Sequence, residues 1–325
     1  MKTLRVIFLS GLLLTSVQFF CRGQVGQSAG LMFSKLADMP DGLIFAGSVS
    51  DGENIYCING IRPYTAQFPS TGVLRYEPKT DQWSVLTNKL TPKIQTMVAY
   101  VPSMCKIYVM GGTIVGARTN SLFRGIETVD VNTGEVERLK ITNPLATTYG
   151  GAAVWNNNIY LFGGSRLNGM GVSSFYKFDT STQQFTELAD MPEYVQTTGA
   201  IVNGVLYTFG GFNPVQHYNS TQISAYNIKT NTWTKAGTLP ETLSANAIAT
   251  YGKLIFIVGN YSDLRFLGYY DTETQQFTKL NSNMLGRRHA GAGIASNQLI
   301  IFGGNTTTTG MALNSTQGVD ISSIK

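Results

Sequence analysis

Arginine and tyrosine carry most of the chemistry that this chain of 325 residues offers. They gather in two sets of irregular segments. One set holds Arg62, Tyr64, Arg118, Arg124, Arg166, Phe212, His217, Tyr218, Tyr261 and Arg265. The other holds Tyr149, Glu193, Tyr194, Arg287, Arg288 and His289. An arginine presents a planar fork of donors suited to carboxylate, sulfate or phosphate. Tyrosine adds flat contact area for a sugar ring or a peptide side chain. The ligand-binding set read from these segments is Arg62, Tyr64, Arg118, Arg124, Arg166, Tyr194, Arg265, Arg287 and Arg288, an anion-accepting and aromatic-studded face. The competing reading makes them solvated loop charges, each paired with a nearby acid or carbonyl. His289, which opens a strand after Arg288, reads as structural.

Other reactive constellations are sparse. No nucleophile elbow, phosphate loop or paired-histidine zinc helix occurs. The string Gly291-Ala292-Gly293-Ile294-Ala295-Ser296 resembles part of a dinucleotide fingerprint, but it lies in a repeated strand with no helix after it. Two histidines and three cysteines are a thin inventory for a metal. No metal site and no cofactor are therefore expected. Of Cys21, Cys57 and Cys105, the last two read as free thiols, since nothing in their spacing demands a bridge.

The elements that position these residues repeat. A hydrophobic strand ending in a small pair recurs six times, about 50 residues apart. The copies end in Asn59-Gly60, Gly111-Gly112, Gly163-Gly164, Gly210-Gly211, Gly259-Asn260 and Gly303-Gly304. An aromatic strand, an acidic or Asn turn and a second aromatic strand follow, as in Tyr76 to Trp83, Phe178 to Phe185, Tyr226 to Trp233 and Tyr270 to Phe277. In the second unit Val136 replaces the aromatic. A small-residue strand precedes each pair, such as Thr198-Gly199-Ala200-Ile201-Val202 before the tight turn Asn203-Gly204. Each unit is thus four short strands, a to d, which form one blade. A single blade cannot bury both faces, so blades stack around an axis. The glycines and the outer aromatics read first as packing residues.

The glycine pairs and the Tyr-Asp…Trp spacing resemble kelch repeats over residues 32–322. The resemblance implies an all-β fold: a six-bladed β-propeller with four antiparallel strands per blade. The last unit stops after a c-like strand, Gly318 to Ile321. Phe33-Ser34-Lys35-Leu36 with Asp38-Met39-Pro40 resembles the d-strand end Phe185-Thr186-Glu187-Leu188 with Asp190-Met191-Pro192. The N-terminal strand is therefore expected to complete the last blade and close the ring. In such a blade the b–c and d–a loops emerge on one face, and these are the two sets of segments above. The opposite turns carry mixed charges such as Asp51, Glu53, Lys79, Asp81, Lys229, Asp271 and Glu273.

Residues 1–23 read as a signal peptide: Lys2 and Arg5, an apolar run from Val6 to Phe20, then Gly23. Residues 24–31 form a short lead, and 32–325 the single propeller. Ile321 to Lys325 show no hydrophobic tail, so neither a GPI signal nor stable membrane insertion is expected. Losing Lys2, Arg5 and Arg22 takes the formal charge from +5 to +2, which gives no ground for nucleic-acid binding. Charged residues are 13% of the chain, low for a soluble domain, while 35 glycines suit a turn-rich β protein. Four sequons begin at Asn219, Asn260, Asn305 and Asn314.

These readings give a secreted or periplasmic monomer that binds a protein, a peptide or an anionic glycan on the b–c/d–a loop face. Two alternatives stand beside it. Resemblance to periplasmic kelch propellers that interconvert anomers of acidic sugars would cast Glu193 with Arg166 or Arg288 as acid–base and anchoring groups. A structural surface protein is the other.

Overall fold

The structure is a computed structural model, and it describes residues 30–62, 69–116, 118–306 and 311–324. The segment read as a signal peptide lies outside the described residues. Six four-stranded antiparallel sheets make the molecule, as the repeat requires. Blade I comprises Gly47–Ser50, Ile55–Ile58, Val73–Glu77 and Gln82–Thr87. Blade II comprises Met97–Val101, Lys106–Met110, Ile126–Asp130 and Val136–Leu139, with a small hairpin of Thr113–Ile114 and Ser121–Leu122 above it. Blade III comprises Gly151–Trp155, Asn158–Phe162, Phe175–Asp179 and Gln184–Glu187. Blade IV is longer: Gln196–Val202, Val205–Asn213, Tyr218–Asn227 and Thr232–Thr238. Blade V comprises Ala247–Tyr251, Leu254–Val258, Leu267–Asp271 and Gln276–Lys279.

Blade VI joins the chain's two ends. Gly291–Ala295, Gln298–Phe302 and Thr316–Asp320 are completed by Ser34–Leu36, which pairs with Thr316–Asp320 in the register Ser34↔Gly318 and Leu36↔Thr316. The first strands of neighbouring blades pack in a closed ring, I to VI and back to I. Six hydrophobic clusters occupy the joints among the described residues, one between each pair of adjacent blades. This explains why the b-strands read as unbroken apolar runs. Ile55–Ile58 and Leu254–Val258 are buried throughout because both faces meet a neighbour. Cys57 belongs to such a strand as a free thiol that burial pushes up to about 12; Cys105 is also free.

The repeated residues do more than pack. Gly163 has φ +63°, and a Cβ there would lie 2.6 Å from the Val195 carbonyl oxygen of the next blade. The following Gly164 N–H donates to that same oxygen at 2.9 Å. Gly112, Gly211 and Gly304 make the equivalent bond to Thr147, Leu243 and Leu43. The glycine pair is thus an inter-blade backbone clasp that any side chain would prevent.

The outer joints use polar groups. In blade IV, Asn231 Oδ1 accepts from Tyr226 Oη at 2.7 Å and from Ala189 N of blade III at 2.9 Å. Trp233 Nε1 donates to Ala189 O at 2.8 Å. Blade I repeats this toward blade VI: Asp81 Oδ1 accepts from Tyr76 Oη at 2.7 Å and from Ala37 N at 2.8 Å, and Trp83 Nε1 donates to Ala37 O at 3.2 Å. The ring's closing joint is therefore built like an internal one.

Candidate functional site

A pocket of about 740 Å³ opens on the propeller axis. It lies at the end where the a-strands begin and the b-strands finish, which is the b–c/d–a face. One residue per blade enters it at the same step, two residues before the a-strand position that pairs with the end of strand b. These are Phe45, Gln95, Tyr149, Gln196, Ala245 and His289. Five of them have left-handed backbone, with φ between 53° and 58°; Gln196 of the extended blade IV is the exception. For a residue with a side chain this conformation costs roughly 1–3 kcal/mol and persists only where the surroundings impose it. Here they do. Gln95 N donates to Phe45 O at 2.9 Å, Tyr149 N to Gln95 O at 3.3 Å, and His289 N to Ala245 O at 2.9 Å. The strained residues are linked blade to blade around the axis, with their side chains in the pocket.

One wall is aromatic. Phe45 meets His289 at 4.4 Å and Tyr149 at 5.9 Å between ring centroids, both edge to face. Tyr261 stands 6.3 Å from His289. The Arg288 guanidinium lies over the Tyr261 ring, its Cζ 4.0 Å from the centroid. The Arg288 backbone is fixed by a reciprocal pair of hydrogen bonds with Asn305, each 3.0 Å. Burial, aided by the charge of Arg288, pulls the His289 imidazole down to about 4. Burial, with Tyr261 nearby, pushes the Tyr149 phenol up to about 12. At neutral pH the wall therefore holds a neutral imidazole and the neutral Tyr149 phenol beside the Arg288 guanidinium.

The other walls are amides and hydroxyls. Gln95 accepts from Thr148, Gln196 Nε2 donates to Ser165 Oγ at 2.8 Å, and Asn246 Nδ2 donates to Thr198 Oγ1 at 2.8 Å. Four buried polar atoms of lining residues have no partner: Thr96 Oγ1, Asn219 Oδ1, Arg288 Nε and Asn305 Oδ1. An unsatisfied buried donor or acceptor costs about 1–3 kcal/mol. Among the described residues no aspartate or glutamate lines the pocket. It therefore has an anchor for an anion and stacking surfaces, but no carboxylate pair for acid–base work. An imidazole near pKa 4 is a poor proton acceptor at neutral pH. Among the described residues no group of three metal-ligating side chains assembles.

Of the residues singled out from sequence, Tyr149, Phe212, Tyr261, Arg288 and His289 meet in the pocket. Arg287 is wholly buried, its guanidinium pulled down to about 10 by desolvation. It donates to Leu285 O, Gly303 O, Ser315 O, Ser315 Oγ and Gln317 Oε1, bracing blade VI. Arg62 pairs with Asp41 at 2.8 Å on the surface. Arg118, Arg124, Arg166 and Arg265 are exposed and do not line the pocket, and Tyr194 is exposed on its rim side. Tyr64 lies outside the described residues. Glu193 is held by Tyr218 Oη at 3.1 Å and by Ser220 Oγ at 3.1 and 3.0 Å, and neither it nor Arg166 lines the pocket. Of the sequon asparagines, Asn260 and Asn305 are buried, Asn219 faces the pocket and Asn314 is exposed.

Sequence reading missed Phe45, Gln95, Gln196 and Ala245, and the amides Asn219, Asn246 and Asn305. The signal was a column of the repeat. The six axial residues share one offset from the a-strand, and Asn305 directly follows Gly303-Gly304.

Comparison with known proteins agrees with the architecture. The family model described as KLHDC2/KLHL20/DRC7 Kelch-repeats domain matches residues 95–304. The chain is similar to Kelch-like protein 38 of Mus musculus, 29% identical over 241 residues, covering 73% of this chain and 40% of that protein. It is also similar to Beta-scruin of Limulus polyphemus, 26% identical over 213 residues, covering 63% and 23%. It thus spans less than half the length of these curated relatives. A solved structure of YjhT matches with a TM-score of 0.74 and 14% identity, covering 89% of this chain and 98% of that one, a likeness of fold.

Proposed function

The chain belongs to the kelch-repeat family, and on that premise we propose that it is an exported binding module that receives an acidic group of its ligand in the axial pocket. The observation that carries this reading is Arg288: a guanidinium held over Tyr261, in a pocket whose described lining has no carboxylate. The guanidinium can make a charge-assisted bond to a carboxylate or sulfate, and the aromatic wall would pack the body of the ligand. The acidic group can come from a protein or peptide partner or from an anionic glycan. Export rests on the positive start and apolar run of residues 1–23.

The test is a thermal-shift series on residues 24–325 with acidic peptides, acidic monosaccharides, sulfated glycans and their neutral counterparts. A ligand that binds only the folded state raises the midpoint as its concentration exceeds Kd. The reading requires a shift with an acidic probe, absent with its neutral counterpart and abolished in Arg288→Gln. The peptide and sugar arms identify the source of the acid. Equal shifts in Arg288→Gln, or none with any acidic probe, would overturn it. Intact-mass measurement of the exported protein tests cleavage at residue 23.

A further inference from the structure

The outer joints between blades are not all closed alike. Blades I and IV set an acid or amide and a tryptophan against an alanine of the preceding blade: Asp81 and Trp83 on Ala37, Asn231 and Trp233 on Ala189. In blade V the same columns of the repeat hold Gln275 and Phe277, and the preceding blade offers Gly237 in place of the alanine. The bonds of the clasp are not made there among the described residues. Phe277 has no N–H to give, and Tyr270 Oη donates to Ala236 O at 3.1 Å. The tryptophans pack on their cross-strand tyrosines, Trp83 on Tyr76 at 5.1 Å and Trp233 on Tyr226 at 5.2 Å between centroids. Phe277 instead lies over Gly268, where a Cβ would meet the ring at 2.4 Å, and stacks on Phe266 at 5.7 Å.

Where the clasp would stand, a cleft of about 430 Å³ opens on the perimeter between blades IV and V, lined by Gly237, Gln275 and Phe277 themselves. That is room for a small molecule. Blade III shows that a glutamine and a phenylalanine in these columns do not suffice to open it. Gln183 and Phe185 stand there, but Phe178 replaces the tyrosine, Phe185 meets it at 4.7 Å, and Leu139 and Ile141 pack into that joint. Between blades IV and V, glycine at both 237 and 268 leaves the space unfilled.

We propose that this cleft is a binding site for a neutral saccharide unit, separate from the axial pocket and independent of the acid-binding reading. Its lining has the two characters of a sugar ring. Ile223, Pro240 and Phe277 present apolar surface to the C–H face, while Thr238, Gln275 and Gln276 present a hydroxyl and two amides that both donate and accept. The charge in the lining is already matched. Lys279 donates to Glu241 at 2.5 Å and to Asp263 at 3.1 Å, so an anion would have to displace two carboxylates. A wholly apolar ligand would desolvate the amides without bonding them. An extended peptide finds no straight edge to pair with, because the outer strand Thr232–Thr238 slips register opposite Ile223 and Ser224 and carries Lys235.

The experiment screens residues 24–325 by saturation-transfer NMR against glucose, galactose, mannose, N-acetylglucosamine, cellobiose and lactose, then measures Kd for each sugar that binds. Gln275→Asn/Phe277→Trp restores the clasp residues of blade IV and closes the cleft, and its melting midpoint is expected to equal or exceed that of wild type. Arg288→Gln reports on the axial pocket. The inference requires saturable binding of at least one sugar, weakened about tenfold or more in the clasp variant and unchanged in Arg288→Gln. If the clasp variant does not fold, Gln276→Ala, which removes one exposed amide, decides in its place by the same loss of affinity. The inference is overturned if no sugar of the panel binds, or if the clasp variant binds as tightly as wild type. Loss in Arg288→Gln alone would also overturn it, moving the sugar to the axial pocket. Peptides selected from a displayed library that bind wild type but not the clasp variant, with no sugar bound, would assign the cleft to a polypeptide instead.

Discussion

Arg288 and Tyr261 sit on the adjacent blades VI and V, and the guanidinium of one covers the ring of the other at 4.0 Å on one wall of the axial pocket. The stack fixes the plane of the guanidinium, and the reciprocal backbone bonds to Asn305 fix its base. This cation of the pocket lining is therefore preorganised, and its field reaches His289 on the same strand entry.

That field gives a spectroscopic prediction. Burial first, and then the Arg288 charge, hold His289 down near 4. Arg288→Gln removes one of the two causes, so the His289 titration should move upward while remaining below the ordinary value of 6.5. An NMR pH titration checks this, with His217 as the second imidazole in the spectrum. An unchanged midpoint would place the two groups outside electrostatic reach.

The axial strain predicts an asymmetry between two small residues. Ala245 has φ 56° and a side chain of one methyl. Ala245→Gly should leave stability unchanged or raise it by up to ~1 kcal/mol, as left-handed strain is relieved against added chain entropy. Gly163→Ala should cost more than ~2 kcal/mol, because its Cβ would meet the Val195 carbonyl and open the clasp between blades III and IV. Chemical denaturation of both variants tests the sign of each.

The closing joint has its own test. Asn231 does for Tyr226 and Ala189 what Asp81 does for Tyr76 and Ala37. Asp81→Asn should therefore be nearly neutral. Asp81→Ala should cost about 2–3 kcal/mol, from two lost hydrogen bonds and a residue forced to φ 52°. Deleting residues 32–36 should cost far more, since it removes the d-strand of blade VI. A deletion variant with the wild-type thermal midpoint would refute closure by that strand.

Blade II holds a buried ion pair that no pattern in the sequence announced. Glu127 and Lys93 are both fully buried and bonded to each other; Glu127 also accepts from Arg138 Nε at 3.0 Å and Thr91 N at 3.0 Å. Burial works against the charge of Glu127, but Lys93, Arg138 and Thr91 together hold its carboxyl below the ordinary 4.5. A carboxyl with a depressed folded pKa adds stability above its unfolded pKa, and this is lost as pH falls through the folded value. Thermal midpoints should be insensitive to this group from pH 7 to 5 and fall below about 4.5. Glu127→Gln should lose about 3–5 kcal/mol at pH 7, leaving Lys93 buried without its counter-charge, and should flatten the acid limb.

Fold and site were not equally legible. Glycine pairs, aromatic strands and the Phe33-to-Leu36 fragment specify blade number, strand order and closure, because a backbone clasp or a packed joint admits few residue types and leaves a repeating trace. The pocket carries no such trace. Its six axial residues are Phe, Gln, Tyr, Gln, Ala and His, since position is set by the backbone while the side chain is free to vary. Residue type alone also misdirects: Arg287 and Arg288 are neighbours, but one braces blade VI and the other faces the pocket. Only strand register separates them.

The most direct test is isothermal titration of residues 24–325 with the acidic probe giving the largest thermal shift, on wild type and Arg288→Gln. A charge-assisted bond of about 1.5–3 kcal/mol corresponds to a Kd some tenfold to hundredfold weaker in the variant. That loss, with no loss for the neutral counterpart, is the result expected. Equal affinity for both proteins would contradict a ligand anchored in the axial pocket.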